Sequence, residues 1–177
     1  GHEVDLIIEA DEGKVLDEIA QINPDMVMSS TVLATGDFEW AAAIAARLKQ
    51  KSPHMLTVFG STHPTHFPKE TMANPAVDVL CRGEGEMSLL EMCNRFDQGE
   101  SYAKIPNLWV RENGQVFENP IGARQRGAMP VSLQHFAAGH FDLPIAAVCE
   151  QGATPLVGKI VLVLQAGGEQ TITAHYQ

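Results

Sequence analysis

Three short segments carry the polar chemistry of this chain. The first is VDVLCRGEGEMSLLEM (77–92), in which an apolar, β-branched run gives way to apolar residues at helical spacing. Gly83, Glu84, Gly85 and Glu86 occupy the handover. Glycine there permits a tight turn and lets a ligand approach the backbone, so both turn geometry and ligand contact stay open. The carboxylates would repel a phosphate, and they also suit the first turn of a helix. The second segment, SSTVLAT, supplies the hydroxyls of Ser29, Ser30, Thr31 and Thr35. They can orient a polar ligand or satisfy loop backbone.

The third, GSTHPTHFP, holds Gly60, Ser61, Thr62 and His63, with His66 three residues further on and His54 upstream. A zinc site needs a third or fourth ligand, and Pro64 and Pro68 argue against a helix carrying both histidines. Loop histidines lining a pocket are expected instead, and no metal site is assigned. Neither GxGxxG nor GxxxxGK[ST] occurs, no Ser/His/Asp order fits a nucleophile elbow, and no carboxylate pair suggests hydrolysis. Binding is the expected activity, with no catalytic residue assigned.

The elements that must position these segments alternate. EVDLIIEA (3–10) reads as a strand and GKVLDEIAQI (13–22) as a helix with Val15, Leu16, Ile19 and Ile22 on one face. A strand near 25–32 follows, then a helix, FEWAAAIAARLKQK, with Asp37 placed to cap it and basic residues in its last turn. MLTVFG (55–60) is a third strand. A loop and short helix lead to a fourth, AVDVLCRG (76–83), and EMSLLEMCNRF (86–96) is helical. Such alternation, with little polar patterning inside the strands, predicts an α/β fold: a Rossmann-like (flavodoxin-like), doubly wound, mainly parallel sheet. Its ligand site lies outside the carboxyl ends of the strands, where the three segments fall.

Beyond this, NLWVRENGQVFENPI (107–121) reads as an appended β-hairpin about Asn113-Gly114. Residues 1–121 are thus expected to form the Rossmann-like domain. Residues 122–177 are expected to form an irregular extension with one or two strands, KIVLVLQAGG and EQTITAHYQ.

Composition sets limits on partners. The chain has 177 residues, 45% of them hydrophobic, and a formal charge of −10. It is too apolar to be disordered, and too acidic to favour a nucleic acid or an anionic membrane. There is no apolar run of roughly 20 residues and no secretion-signal order at the N-terminus, so a cytoplasmic location is expected. Cys81, Cys93 and Cys149 fit neither a disulfide framework nor a CxxC pair, and are expected to be buried thiols.

Taken together, GHEVDLIIEAD, PDMVMSSTVLATGDFEWAAAIAARLKQKSPHMLTVFGSTHPTHFPKE and VDVLCRGEGEMSLLEM resemble the cobalamin (B12)-binding domain of B12-dependent radical SAM proteins. That group includes anaerobic magnesium-protoporphyrin IX monomethyl ester cyclases and many methyltransferases. The likeness runs over roughly residues 1–121, and VDxxxRGEGE preceded by a GG-x-HPT-like loop is its most specific part.

The resemblance implies that the carboxyl edge of the sheet faces the corrin. Ser30, Thr31 and Leu33 match the hydroxyl-bearing segment. Gly60, Ser61, Thr62 and His63 match the GG-x-H loop, with Ser61 in place of the second glycine. Gly83, Glu84, Gly85 and Glu86 match the rim after the fourth strand. The cofactor implied is cobalamin, and the partner is the radical SAM domain of a parent enzyme. An iron–sulfur cluster and S-adenosylmethionine belong to that domain, since CxxxCxxC does not occur here, nor does DxHxxG.

The family's first strand and helix would precede GHEVDLI, which leaves a central slot vacant. KIVLVL is expected to fill it, because its composition suits a strand covered on both faces. The expected function is a non-catalytic module positioning cobalamin for a catalytic domain elsewhere. The alternatives are a flavodoxin-like or receiver-like protein-interaction domain without cofactor, and a small Rossmann-like enzyme.

Overall fold

Side chains alternate across a strand, so Met26–Ser30, Leu56–Gly60 and Val79–Cys81, inside the sheet, each have two faces to cover. In the computed structural model, which describes residues 2–31, 36–122 and the backbone of 159–165, both are covered. The elements are β1 (Glu3–Glu9), α1 (Glu12–Ile22), β2 (Met26–Ser30), α2 (Asp37–Lys51), β3 (Leu56–Gly60), α3 (Thr62–His66), α4 (Pro68–Ala73), β4 (Val79–Cys81), α5 (Glu86–Asp97), β5 (Leu108–Glu112), β6 (Gln115–Glu118) and β7 (Lys159–Gln165).

Met26, Met28, Leu56, Val58, Val79 and Cys81 meet Met92 and Cys93 of α5 on one side. The alternate residues turn the other way: Val27 meets Val15 and Ile19 of α1 and Ile44 and Leu48 of α2. Phe59 and Leu80 meet Phe38, Ala41 and Ala45 of α2 and Met72 of α4. Fully burying one such side chain is worth about 1.5–3 kcal/mol, which is why the period-two pattern fixes the strand register.

The strands lie in the order β1-β7-β2-β3-β4-β5-β6. β1, β7, β2, β3 and β4 pair parallel, whereas the β5–β6 hairpin adds to β4 antiparallel. This is the doubly wound, Rossmann-like α/β fold with an appended hairpin. β7 sits between β1 and β2, with Val4 opposite Ile160 and Met26 opposite the same residue on its other side. A strand from the far end of the chain therefore fills the central slot. EQTITAHYQ, Cys149 and residues 123–158 lie outside the described residues.

Three local expectations are corrected. Asp37 is the first residue of α2 and the cap is Gly36 at φ 73°; the Asp37 carboxylate still favours the positive end of the helix. The fourth strand is only three residues long, Val79–Cys81, because Asp78 turns its carboxylate onto Thr57 and Arg82 leaves the ladder toward Asn107. His63 and His66 do lie on one short helix, α3. Pro64 stands in its first turn, where no intrahelical N–H donor is needed, and Pro68 opens α4.

Candidate functional site

β2, β3 and β4 run parallel, so their carboxyl ends emerge on one border, and hydrogen bonds join the loops that leave them. Ser30 is the register partner of Gly60. The backbone N–H of Thr31 donates to Gly60 O at 3.0 Å, and its Oγ1 lies 3.4 Å from the same oxygen. His63 N–H donates to Thr31 O at 3.1 Å. Further along, Gly83 N–H donates to Thr65 Oγ1 at 2.9 Å. The described parts of the three sequence segments thus form one continuous rim.

Within that rim the residues differ in what they offer. Thr31 is fully buried and ties two loops together, so its hydroxyl is engaged in the fold; Ser30 is half-buried at the strand end. Gly60 presents its backbone to open space, with nothing within 4 Å of where a Cβ would stand. Gly83 has φ +69°, and a Cβ there would meet only Ile121 at 4.0 Å. Gly85 is the opposite case: a Cβ would lie 2.9 Å from Cys81 Sγ and 3.2 Å from Leu89. Close packing of the turn on the β4–α5 core, rather than ligand approach, requires that glycine. Glu84 is exposed, and Glu86 is half-buried in the first turn of α5. Leu33 lies outside the described residues.

Ser61 is where the sequence departs from the GG pattern, and its backbone shows why glycine suits the place. Its φ of 82° with ψ of −155° belongs to a region that only glycine visits freely. The exposed residue Thr62 begins α3. His63 stacks face to face on Phe38, ring centroids 4.3 Å apart and planes within 10°, and its Nε2 is buried without a hydrogen-bond partner. The His66 ring Nδ1 lies 2.8 Å from Thr62 O. Among the described residues no group of three or more His, Cys, Asp or Glu could hold a metal ion.

Two further residues belong to this border, Asn107 without a motif signal and Arg82 within VDxxxRGEGE. Asn107, at φ 70°, underpins the Gly83–Glu86 turn: its Nδ2 donates to Glu84 O at 2.8 Å and Ser88 Oγ at 3.2 Å, its Oδ1 accepts from Gly122 N–H at 2.7 Å, and its carbonyl accepts from Arg82 N–H at 2.9 Å. Asparagine tolerates the left-handed region, which is the one local hint in NLWV. Arg82 is the other, its guanidinium lying over the ring of Trp109 at 5.3 Å. Beneath the turn, burial and then the Glu86 carboxylate push the Cys81 thiol up to about 12, so it stays a neutral, unreactive thiol.

A rim of glycine backbone and buried donors above a parallel sheet suits a large ligand with many amide edges. The sequence model of the B12 binding domain matches residues 1–92. The chain is 31% identical over 125 residues to an uncharacterised methyltransferase of Pyrococcus horikoshii, covering 67% of this chain and 27% of that protein. It is 28% identical over 106 residues to the cobalamin-dependent radical SAM methyltransferase TokK of Streptomyces tokunonensis, covering 56% of this chain and 16% of TokK.

Among solved structures, the cobalamin-dependent S-adenosylmethionine radical enzyme OxsB, with aqua-cobalamin and S-adenosylmethionine bound, shares the fold with a TM-score of 0.52 at 15% identity. The match covers 64% of this chain and 16% of OxsB. The chain belongs to the B12-binding domain family, whose cofactor is cobalamin. It spans 27% or less of the length of these curated relatives, and the catalytic part of such enzymes is not in it. The cofactor-free interaction domain is not the favoured reading.

Proposed function

We propose that the border formed by Ser30, Thr31, Gly60, Ser61, Thr62, His63, Gly83, Glu84, Gly85 and Glu86, together with Leu33, cradles the corrin of cobalamin. The domain then presents it to the radical SAM domain of a parent methyltransferase or cyclase. Residues 1–121 with β7 make up the binding unit in this reading, and 122–177 are its extension. Cobalamin supplies an exchangeable cobalt ligand, and with it methyl-carrying chemistry. This chain's own contribution is to orient and shield: Gly60 and Gly83 let the ring lie close to the backbone, His63 offers its unpartnered Nε2 to a side-chain amide, and Thr31 and Thr65 hold the loops in place.

The observation that carries this reading is the hydrogen-bonded continuity of the three loops along one edge, with Gly60 and Gly83 facing open space. Among the described residues no helix is long and apolar enough to cross a membrane. With the charge of −10, this supports a cytoplasmic domain that engages neither nucleic acid nor an anionic membrane. Mixing the protein with hydroxocobalamin and desalting tests the reading. A pink protein with the cofactor's visible bands is expected, and a colourless one contradicts it.

A further inference from the structure

Arg82 leaves β4 one residue before Gly83, on the same border, and its side chain has the surroundings of a cation without a counter-ion. Its guanidinium carbon lies 5.3 Å from the centroid of the Trp109 ring, and its Nε is buried with no hydrogen-bond partner. Glu84 and Glu86 follow within four residues, yet none of the ion pairs among the described residues includes Arg82. A guanidinium is always charged and its Nε–H is directional, so a buried and unused Nε–H calls for an acceptor that arrives from outside these residues.

The sequence narrows what that acceptor is. In the segments that follow β2, β3 and β4 (31–36, 61–67 and 82–85), Arg82 is the only lysine or arginine. A cobalamin carries a single anionic group, the phosphodiester of its nucleotide tail, and its remaining edge is neutral amide. A planar, charged fork held against an indole is the donor that suits a phosphodiester oxygen pair. Its positive charge also offsets the repulsion that Glu84 and Glu86 would exert on that group.

We infer that Arg82, held against Trp109, receives the phosphodiester of cobalamin's nucleotide tail and gives this border its preference for complete cobalamin over the bare corrin. The inference rests on the cobalamin reading above and names one contact within it. Lysine at this position would keep the charge and lose the fork.

The test compares cobalamin with cobinamide, which lacks the nucleotide tail and its phosphodiester, by absorbance titration of the unaltered chain, Arg82→Met and Arg82→Lys. Arg82→Met is expected to weaken cobalamin at least about 10-fold and cobinamide less than about 2-fold, with Arg82→Lys between. In the unaltered chain, the preference for cobalamin is expected to shrink as salt is raised. Equal weakening of both ligands, or no change in either, with the variant's circular dichroism intact, overturns the inference. If Arg82→Met does not fold, Arg82→Lys and the salt series decide, and a preference insensitive to both overturns it. Failure of the unaltered chain to hold either ligand overturns the cobalamin reading itself. Binding of both without preference spares that reading and removes only the role given to Arg82.

Discussion

Thr65 and Gly83 are joined across the border: the threonine Oγ1 accepts the glycine N–H at 2.9 Å and donates to Ser61 O at 2.7 Å. One hydroxyl therefore links the strained residue after β3 to the turn after β4. Thr65→Val keeps the shape and removes both bonds. About 1 kcal/mol of stability and a several-fold loss in cobalamin affinity are expected, with Thr65→Ser close to the unaltered protein. Urea unfolding and absorbance titration of the two variants check this. Equal behaviour of Val and Ser would show that the link is not what holds the loops.

Ser61 stands at φ 82° and ψ −155°, a conformation costing a non-glycine residue about 1–3 kcal/mol. Ser61→Gly relieves that cost, less the roughly 0.5–1 kcal/mol of chain entropy glycine adds to the unfolded state. A net gain of about 1 kcal/mol is expected in the urea midpoint. A loss would mean that the serine side chain holds the loop in a way its backbone does not reveal.

Much of this architecture is legible in the residues. The alternation at Met26-Val27-Met28 and Leu56-Thr57-Val58-Phe59 marks strands covered on two faces, and Asn113-Gly114 marks the hairpin. KIVLVL could be assigned to the centre because only a strand covered on both sides tolerates so apolar a run. What stayed hidden depends on distant partners. Arg82 meets Trp109 only because the hairpin folds back antiparallel to β4. Asn107 holds the Gly83–Glu86 turn from about twenty residues away, a relation no local spacing carries. A short helix is expected in STHPTHFPKETMANP, but not one that carries both histidines, because Pro64 reads as an interior breaker; in a first turn it costs no hydrogen bond.

At the amino ends of the strands a separate cluster holds the sheet. Asp78 Oδ2 accepts from Thr57 N–H at 2.8 Å, lies 2.9 Å from Thr57 Oγ1 and pairs with Lys49 Nζ, which also donates to Met55 O at 2.6 Å. Asp78→Ala leaves the Thr57 amide without its acceptor and the Lys49 ammonium without its counter-ion, so about 2–3 kcal/mol should be lost. Because the cluster lies at the end of the sheet opposite the rim, cobalamin affinity of the folded fraction should be unchanged. Calorimetric unfolding with parallel ligand titration separates the two effects, and a specific loss of affinity would count against the assignment of the site to the carboxyl border.

Burial, and to a lesser degree Glu86, keeps the folded Cys81 thiol protonated to about 12, against 9.0 for a free thiol. Tyr102 is likewise raised, by burial first and then by Asp78 and Glu112. Between those limits the unfolded chain binds fewer protons than the folded one, so stability falls as pH rises above about 9. The urea midpoint should drop as the pH rises from about 9 towards about 12, and drop less in Cys81→Ala. Folded Cys81 and Cys93, both buried, should resist a thiol reagent at neutral pH until denaturant is added. Rapid labelling in native buffer would contradict the packing given to them.

The most direct measurement is an amide NMR map of the isotopically labelled chain with and without cobalamin. Shifts are expected at Ser30, Gly60, Ser61, His63 and Gly83, and little change at Asp25, Ser52 and Asp78 on the opposite end. Perturbations gathered at the amino ends of the strands, or spread evenly over both, would contradict a cobalamin cradle on the carboxyl border.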